Sequence, residues 1–231
     1  MKHAVKKSRF IPFITKEEPD DGAAREMLPD VRRIVARNPV MMTYQGTNTY
    51  LVKGDDGISV IGPGPNREDH IEAVLAAARG RISDILVTRG HQDHVGAADM
   101  LRKRTGARVH AADITPMLGA TTVDAVLADS ARVRPLCALA TPGHTLDHFC
   151  FPRDADALSF SGDHVLTWSS FIVSPQHGDM LQYMRSLELL IERDDPLLLP
   201  THGPMIRRPQ DFCRALLELR LHQKKRRLAS I

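Results

Sequence analysis

Apolar residues follow two different spacings along this chain. Thr47 to Lys53 alternates between apolar and polar positions, and Ile58 to Ile61 is apolar again after a Gly-Asp-Asp-Gly turn, which predicts a β-hairpin. Arg67 to Arg79 carries apolar residues at the spacing of an amphipathic helix. The same criteria predict strands at Ile82 to Val87, Arg108 to Ala111, Arg132 to Ala140, His148 to Phe151, Leu158 to Phe160 and Leu197 to Leu199. Further helices are predicted at Val95 to Arg104, Ala112 to Gly119, Met180 to Glu192 and Gln210 to Leu228.

The order of these elements predicts a layered domain. A strand pair comes first, and helices alternate with strands after it, which indicates an α/β or α+β domain with more than one sheet layer. Because no shift in composition marks a boundary, we expect residues 31–231 to form a single domain. Residues 1–30 are charged and contain proline, and we expect an irregular N-terminal lead-in there.

The composition narrows the class of protein and partner. Hydrophobic residues make up 42% of the chain and charged residues 26%, as in globular proteins. The formal net charge of +3 is too small to predict a nucleic-acid partner, and no apolar run approaches the roughly 20 residues of a membrane span. Three cysteines lack C-x-x-C spacing, and charged residues interrupt any signal-peptide core. We therefore expect a cytoplasmic location and a small-molecule substrate; the sequence does not predict an oligomeric state.

Residues with metal-ligand chemistry are concentrated just after the predicted strand Ile82 to Val87. The stretch Thr88-Arg89-Gly90-His91-Gln92-Asp93-His94 places two imidazoles and a carboxylate within four residues. Imidazole nitrogen and carboxylate oxygen are ligands that zinc prefers. Three more candidates each follow an apolar run at a sharp break in the pattern: His144 in Thr-Pro-Gly-His-Thr, Asp163 in Ser-Gly-Asp-His and His202 in Leu-Pro-Thr-His-Gly.

At these residues the chain resembles the metallo-β-lactamase-fold hydrolases. The first motif of that superfamily is Thr-His-x-His-x-Asp-His, and this chain has Thr-Arg-x-His-x-Asp-His. The resemblance implies a four-layer αββα sandwich with metals bound by loops at one edge of two sheets. The stretch from Gly46 to Val52 and the Gly-Asp-His-Val at Gly162 to Val165 further resemble a bacterial branch related to the β-lactamase-like-2 proteins. That branch usually has an aspartate, supporting the active-site edge, where this chain has Gly62.

The resemblance also implies a set of metal ligands. The positions that match the family's motifs are His91, Asp93, His94, His144, Asp163 and His202. His91 and His144 match ligands of the family's first metal site, whose third imidazole is replaced here by Arg89. Asp163 matches the carboxylate that bridges the two metals, and the remaining three residues complete the second site. The second site is therefore complete, whereas the first lacks one ligand.

Arg89 changes what the first site can hold. A guanidinium has no lone pair to donate and stays protonated, so that it cannot replace a histidine ligand. Either a single zinc binds at the second site, or a second ion binds weakly through His91, His144 and Asp163. We expect one tightly bound zinc, with the second weak or absent. Arg89 is a candidate for binding an anionic substrate group; the alternative is an ion pair with Asp163 or Asp93 in a metal-poor site.

The resulting prediction is a zinc-dependent hydrolase of a small ester, thioester, lactone or phosphodiester. A bound cation activates water and polarises the scissile group, and Asp93 is the candidate catalytic residue that orients this water. One alternative is a non-catalytic, metal-poor binding protein with the same scaffold. A second alternative, by analogy with the branch, is a ribonuclease; an iron dioxygenase is disfavoured because its metal shell needs the histidine that Arg89 replaces. His148 and His164 are predicted to support the site rather than to bind metal.

Overall fold

Two β-sheets and five helices make up the part of the chain that the computed structural model describes, which is Ile11, Phe13, Ile14 and residues 22–113, 121–170 and 173–228. The first sheet contains β1 (Ala24–Leu28), β2 (Val31–Val35), β3 (Asn48–Lys53), β4 (Ile58–Ile61), β5 (Ile82–Leu86), β6 (Arg108–Ala111) and β7 (Ala125–Val126). A short ribbon contains β8 (Arg132–Val133) and β9 (Leu136–Cys137). The second sheet contains β10 (Leu139–Ala140), β11 (Phe149–Arg153), β12 (Leu158–Gly162), β13 (Leu197–Pro200) and β14 (Ile206–Arg207). The helices are α1 (Glu68–Ala78), α2 (Gln92–Val95), α3 (Ala98–Thr105), α4 (Met180–Arg193) and α5 (Pro209–Leu228).

In both sheets the strands lie side by side in the order of the sequence. In the first sheet, β1 to β4 pair antiparallel, whereas β4, β5, β6 and β7 pair in parallel. In the second sheet only β12 and β13 are parallel. The parallel pairs matter for the site because they bring the carboxyl ends of neighbouring strands to the same edge.

Three apolar clusters show how the layers stack. Strand residues of the two sheets face each other in the middle cluster, with Tyr50, Phe151 and Phe160 among its largest side chains. Alternate residues of the same strands point outward, because successive side chains of a strand lie on opposite faces. On one side they pack against α1 and α3, and on the other against α4 and α5. This is the αββα sandwich that the resemblance implied, so the fold-class prediction is confirmed.

Most predicted elements agree with the structure to within a few residues, but two do not. The strand predicted from Arg132 to Ala140 is divided into β8, β9 and β10, because a turn at Arg134 and Pro135 folds the chain back on itself. The helix predicted from Val95 to Arg104 begins earlier, at Gln92, and is interrupted between α2 and α3. The predicted helix at Ala112 to Gly119 lies largely outside the described residues.

The irregular lead-in predicted for residues 1–30 is wrong at its C-terminal end, where β1 forms. This strand pairs antiparallel with β2 at the edge of the first sheet. Its residues Ala24, Arg25 and Glu26 are exposed, so they carry none of the apolar alternation by which a half-buried strand is recognised. Most of the remaining lead-in lies outside the described residues. In the described part of the chain, no helix is both long and apolar enough to cross a membrane.

Candidate metal centre

Three loops that follow β5, β12 and β13 bring four metal-ligand side chains together. Asp93 and His94 lie in α2, a few residues after β5 ends. Asp163 directly follows β12, and His202 lies two residues beyond β13, the parallel neighbour of β12. One donor atom from each of these four residues lies within 4.8 Å of the other three. The fold thus brings together four of the six ligands predicted from the sequence.

The spacing of these donor atoms fits a tetrahedral metal ion. His94 Nε2 lies 3.0 Å from Asp163 Oδ2 and 3.3 Å from Asp93 Oδ2. His202 Nε2 lies 3.2 Å from Asp93 Oδ2 and 3.5 Å from Asp163 Oδ1. A tetrahedral zinc site with bonds of about 2.0–2.1 Å places neighbouring donors roughly 3.3–3.4 Å apart. The donor types and these four histidine–carboxylate distances therefore suit a single zinc-like ion.

Hydrogen bonds to the far side of each imidazole orient both histidines. His202 Nδ1 lies 3.2 Å from the carbonyl oxygen of Gly46, which can only accept a hydrogen bond. Nδ1 therefore carries a proton, and Nε2 is the ring atom that faces the carboxylates. His94 Nδ1 lies 2.7 Å from the hydroxyl of Thr88. Such contacts fix ring orientation in metal sites.

His148 holds Asp163 in place from behind. The backbone N–H of Asp163 donates to His148 Nε2 at 2.9 Å, so the ring proton is on Nδ1, 2.8 Å from the Thr141 hydroxyl. Burial, and then the neighbouring His164, hold the pKa of His148 well below its usual value, which keeps Nε2 free to accept. Gly162 makes this approach possible, because a Cβ there would lie 2.4 Å from His148 Nε2. His148 is thus a supporting residue, as predicted.

His164 packs beneath the site without facing the four donors. Its ring lies 4.6 Å from the ring of Tyr183 and 5.8 Å from that of His148, measured between centroids. Burial lowers the pKa of His164 to about 3, so that the ring is neutral. This placement agrees with the packing role predicted for it.

The two carboxylates are ionised in spite of their burial. Burial opposes the charged form of Asp163, but Arg89 and then His94 outweigh it and hold its pKa well below the usual value. For Asp93 burial is likewise outweighed, first by His94, and its pKa is also lowered. Burial and Arg89 lower the pKa of His94, but the two carboxylates outweigh them and raise it. A metal ion bound here would compete with a proton for His94 Nε2.

Arg89 lies inside the cluster. Its side chain is 5% exposed, and its Nη2 lies 2.5 Å from Asp163 Oδ2 and 3.5 Å from Asp93 Oδ1. Asp163 Oδ2 is also the oxygen nearest to His144, whose Nε2 lies 3.8 Å away. The guanidinium therefore contacts the carboxylate oxygen that a first-site metal would share. The Nε and Nη1 atoms of Arg89 are buried and have no hydrogen-bond partner among the described residues.

The structure does not bring His91 and His144 into the same shell as the other four predicted ligands. Their ring centroids lie 6.3 Å apart, and neither belongs to the four-donor group found among the described residues. His144 is buried, whereas His91 is only half-buried at the start of α2. The residues at the first metal position are thus two imidazoles and a guanidinium.

Several supporting residues were not predicted from the sequence. Asp147 is buried, and its Oδ2 accepts a 2.6 Å hydrogen bond from the backbone N–H of Gly90, which fixes the loop that carries Arg89. Asn48 donates from Nδ2 to the carbonyl oxygens of Pro200 and Gly203, both at 2.9 Å, and so clamps the loop of His202. The sequence offered two weak signals for these residues: Asp147 is a polar residue close to the candidate ligand His144, and Asn48 is a polar residue in a mostly apolar strand.

The backbone at Gly62 is held without the aspartate that the branch usually has there. The Gly62 N–H donates to the carbonyl oxygen of Leu86 at 2.9 Å, and its own carbonyl oxygen accepts from the Thr49 hydroxyl at 2.7 Å. A Cβ at this position would have only Asn48 O within reach, at 3.7 Å. The edge of the first sheet is therefore fixed by a main-chain hydrogen bond and by the Thr49 hydroxyl.

Two loops that contribute residues to the site also carry exposed apolar side chains. Val40, Met41 and Met42 are exposed in the loop that leads to Gly46, and Leu146 is exposed in the loop that carries His144. In the same region the Trp168 ring stacks on Tyr44, with centroids 5.0 Å apart and planes 12° apart.

Comparison with known proteins places this arrangement in one family. A family model described as the metallo-beta-lactamase superfamily matches residues 42–202. A lactamase-like protein of Aspergillus fumigatus is 34% identical over 87% of this chain and 60% of its own length. A beta-lactamase-like protein 2 homolog of Drosophila melanogaster is 31% identical over 81% of this chain and 68% of its own length. An atrochrysone carboxyl ACP thioesterase of Aspergillus novofumigatus is 29% identical over 89% and 64%, respectively. The chain spans 54–60% of the length of two fungal lactamase-like relatives.

Solved structures show the same fold. A metallo-beta-lactamase from Pontibacter korlensis superimposes with a TM-score of 0.74 at 18% identity, over 86% of this chain and 98% of that chain. A protein solved in a di-iron-bound form superimposes with a TM-score of 0.64 at 24% identity, over 72% of this chain and 92% of that chain. At these identities the likeness extends to the fold alone.

Proposed function

The chain belongs to the metallo-β-lactamase superfamily, and from this premise we propose that it is a metal-dependent hydrolase with one tightly bound zinc ion. Its substrate is a small ester, thioester, lactone or phosphodiester. The observation that carries the proposal is the convergence of Asp93, His94, Asp163 and His202, whose donor atoms have the spacing of a tetrahedral site. Packing gives no reason to collect two carboxylates and two imidazoles at one buried point, because unpaired charges are costly there.

The residues around the cluster divide the chemical work. When bound, zinc supplies a Lewis acid that activates water near neutral pH and polarises the scissile group. Asp93 is the most exposed of the four ligands, with 23% of its side chain accessible, and its Oδ1 faces Arg89 rather than a histidine. A carboxylate in that position accepts a hydrogen bond from the attacking water and orients it. His148 and Thr88 hold Asp163 and His94 from behind.

Within the four substrate classes, an acyl substrate is favoured. One relative is named an atrochrysone carboxyl ACP thioesterase. Val40, Met41, Met42 and Leu146 are exposed in the loops that lead to Gly46 and carry His144, and we propose that they contact an acyl chain. We therefore propose that the substrate is an ester or thioester and that the protein has no nucleic-acid partner. We also propose a cytoplasmic location, which the three free cysteines support.

The alternative is a metal-poor, non-catalytic protein, and the Arg89–Asp163 ion pair favours it. At 2.5 Å this pair already neutralises one of the two carboxylates that a metal would need. If the pair persisted at neutral pH with zinc present, the cluster would bind ligands without hydrolysing them. Zinc content separates the two functions, because only the hydrolase requires the ion.

The test measures zinc content and hydrolysis on the same samples. Wild type, His94→Ala and His202→Ala are loaded with zinc, analysed for metal, and assayed with a p-nitrophenyl ester and an acyl thioester. His110→Ala is the matched control, because His110 is a buried histidine that contacts Asp84 outside the cluster. We expect loss of zinc and of hydrolysis in the two site variants and neither loss in the control. A wild type that takes up no zinc would contradict the proposal.

A further inference from the structure

The guanidinium of Arg89 has more hydrogen-bonding capacity than the described residues use. Its Nη2 contacts Asp163 and Asp93, but Nε and Nη1, which together carry three N–H donors, are buried without a partner in the described part of the chain. The side chain is 95% buried, being 5% exposed. Buried charged donors are normally satisfied, so this feature points to an acceptor that comes from outside the protein.

The charge of the cluster indicates that this acceptor is an anion. Asp93, Asp163 and Arg89 together carry one net negative charge. Metal-bound histidines are neutral, so a divalent ion on the four donors would give the site one net positive charge, beside an arginine whose carboxylate partner is now shared with the metal. Metal binding therefore weakens the hold of Asp163 on Arg89 and makes the same place attractive to a negative group.

We propose that Arg89 binds the oxygens of the reacting acyl group: first the carbonyl oxygen as it gains negative charge, and then the carboxylate of the acid product. The inference rests on the proposed function and identifies the residue that recognises its substrate. In the reaction, the water oxygen bonds to the acyl carbon and the carbonyl electron pair moves to the oxygen near Arg89. The oxyanion's electron pair then re-forms the carbonyl as the bond to the alcohol or thiol group breaks. The leaving group keeps the electron pair of that bond and takes one proton from the attacking water, and the second proton is released as the acid ionises.

Arginine is suited to this role in a way that lysine is not. A planar guanidinium presents donors in a fixed fork that matches the two oxygens of a carboxylate, whereas an ammonium group is a point charge. Arg89 reaches the cluster from the loop that the Asp147 hydrogen bond to Gly90 fixes, so its position is set before a ligand arrives. Arg89 should therefore bind a ligand with two carboxylate oxygens more tightly than a neutral ligand of similar size.

The test is direct binding of a simple carboxylate, which does not depend on catalysis. Sodium butanoate is titrated by calorimetry into zinc-loaded wild type, Arg89→Met and Arg89→Lys, with sodium chloride at matched ionic strength as the reference. Arg102→Met is the control, because Arg102 forms an ion pair with Asp124 on the surface. We expect the affinity to fall about 10- to 100-fold in Arg89→Met, in keeping with loss of charged hydrogen bonds. It should fall less in Arg89→Lys and stay unchanged in Arg102→Met.

A second titration uses the linkage between metal and anion. Metal-free wild type should bind butanoate more weakly than the zinc-loaded protein, because Arg89 is then paired with Asp163. Residual affinity in zinc-loaded Arg89→Met measures the contribution of the ion itself. Since removal of a buried cation can prevent folding, Arg89→Lys repeats the test with the charge retained: weaker binding supports the assignment, and unchanged binding contradicts it.

The outcomes separate this inference from the proposed function. Equal butanoate affinity in wild type and Arg89→Met, or no binding to wild type, would overturn the role of Arg89. If that wild type still takes up zinc and hydrolyses esters, the proposed function stands. A protein that takes up no zinc but binds butanoate through Arg89 contradicts the proposed function and leaves the anion site in place.

Discussion

The two metal positions that the family pattern implies differ in this protein, although they share one residue. At the second position, Asp93, His94 and His202 join Asp163 with donors 3.0–3.5 Å apart. At the first position, the rings of His91 and His144 lie 6.3 Å apart, and His144 Nε2 and Arg89 Nη2 lie 3.8 Å and 2.5 Å from Asp163 Oδ2. One position is thus preorganised for a cation that must be bound, and the other already contains a cation that is covalently part of the chain.

This difference separates two properties that a metal ion usually combines. A metal ion neutralises buried carboxylates and also accepts lone pairs from ligands and substrate. Arg89 provides only the first property, because it is a donor and cannot accept a lone pair. Arg89 therefore stabilises Asp163 in the metal-free protein, and on the proposed function Lewis-acid chemistry would be confined to the second position.

Asp163→Asn should have the largest effect. It removes the carboxylate that contacts His94 and His202 and leaves Arg89 buried without its main partner. We expect loss of zinc binding, and a decrease of about 3–5 kcal/mol in the free energy of unfolding of the metal-free protein. Urea denaturation and zinc analysis check the two effects separately.

Asp195→Asn is the matched control for this variant. Asp195 is also a buried carboxylate paired with an arginine, Arg193, but it lies outside the cluster. It should lower stability and leave zinc content unchanged. Zinc retained in Asp163→Asn would show that Asp163 is not a ligand of the second position.

Gly162→Ala tests how the shared carboxylate is positioned. An added Cβ would lie 2.4 Å from His148 Nε2, so His148 must move and release the backbone N–H of Asp163. Loss of such support typically lowers metal affinity by about 10- to 100-fold. Gly106→Ala controls for backbone strain, because Gly106 and Gly162 both have a positive φ, of +73° and +53°. An added Cβ at Gly106, however, would have no atom within 4 Å. Equal zinc affinities in a competition titration of the two variants would argue against His148 as the positioning residue.

Asp147→Ala should have the smallest effect and should act on the first position alone. It removes the acceptor for the Gly90 N–H and leaves that donor buried, at a cost of about 1–3 kcal/mol in stability. Carboxylate binding by Arg89 should weaken while zinc content stays the same. Asp147→Asn keeps an acceptor oxygen and should restore both properties. A fall in zinc content in Asp147→Ala would mean that the two positions are not independent.

The four residues of the second position could be picked out from the sequence because two signals coincide at each of them: the position in the chain and the type of side chain. Asp93 and His94 follow an apolar strand, Asp163 and His202 each lie at a sharp break after another, and their side chains are those that zinc prefers. Strand order and the parallel pairing of β12 with β13 then bring these breaks to one edge. Local pattern and fold agree there, so the prediction of the four-layer sandwich was enough to bring them together.

The residues that support the site were harder to predict, because their partners are distant in sequence. Asn48 contacts a loop about 150 residues away, and Asp147 contacts Gly90 across 57 positions. A single asparagine in a strand or aspartate in a loop has many ordinary uses, and only the fold shows which carbonyl or N–H it meets. β1 was missed for a related reason, since an exposed edge strand is defined by its partner β2 rather than by its own residues.

The zinc content per chain of wild type and Arg89→His is the sharpest test of whether Arg89 occupies the first metal position. Both proteins are purified without chelator, loaded with zinc and analysed for metal and protein in the same sample. We predict one zinc in wild type and two in Arg89→His, because the histidine would restore the missing ligand beside His91 and His144. Two zinc ions in wild type, or an unchanged content in Arg89→His, would contradict the claim that Arg89 occupies the first position.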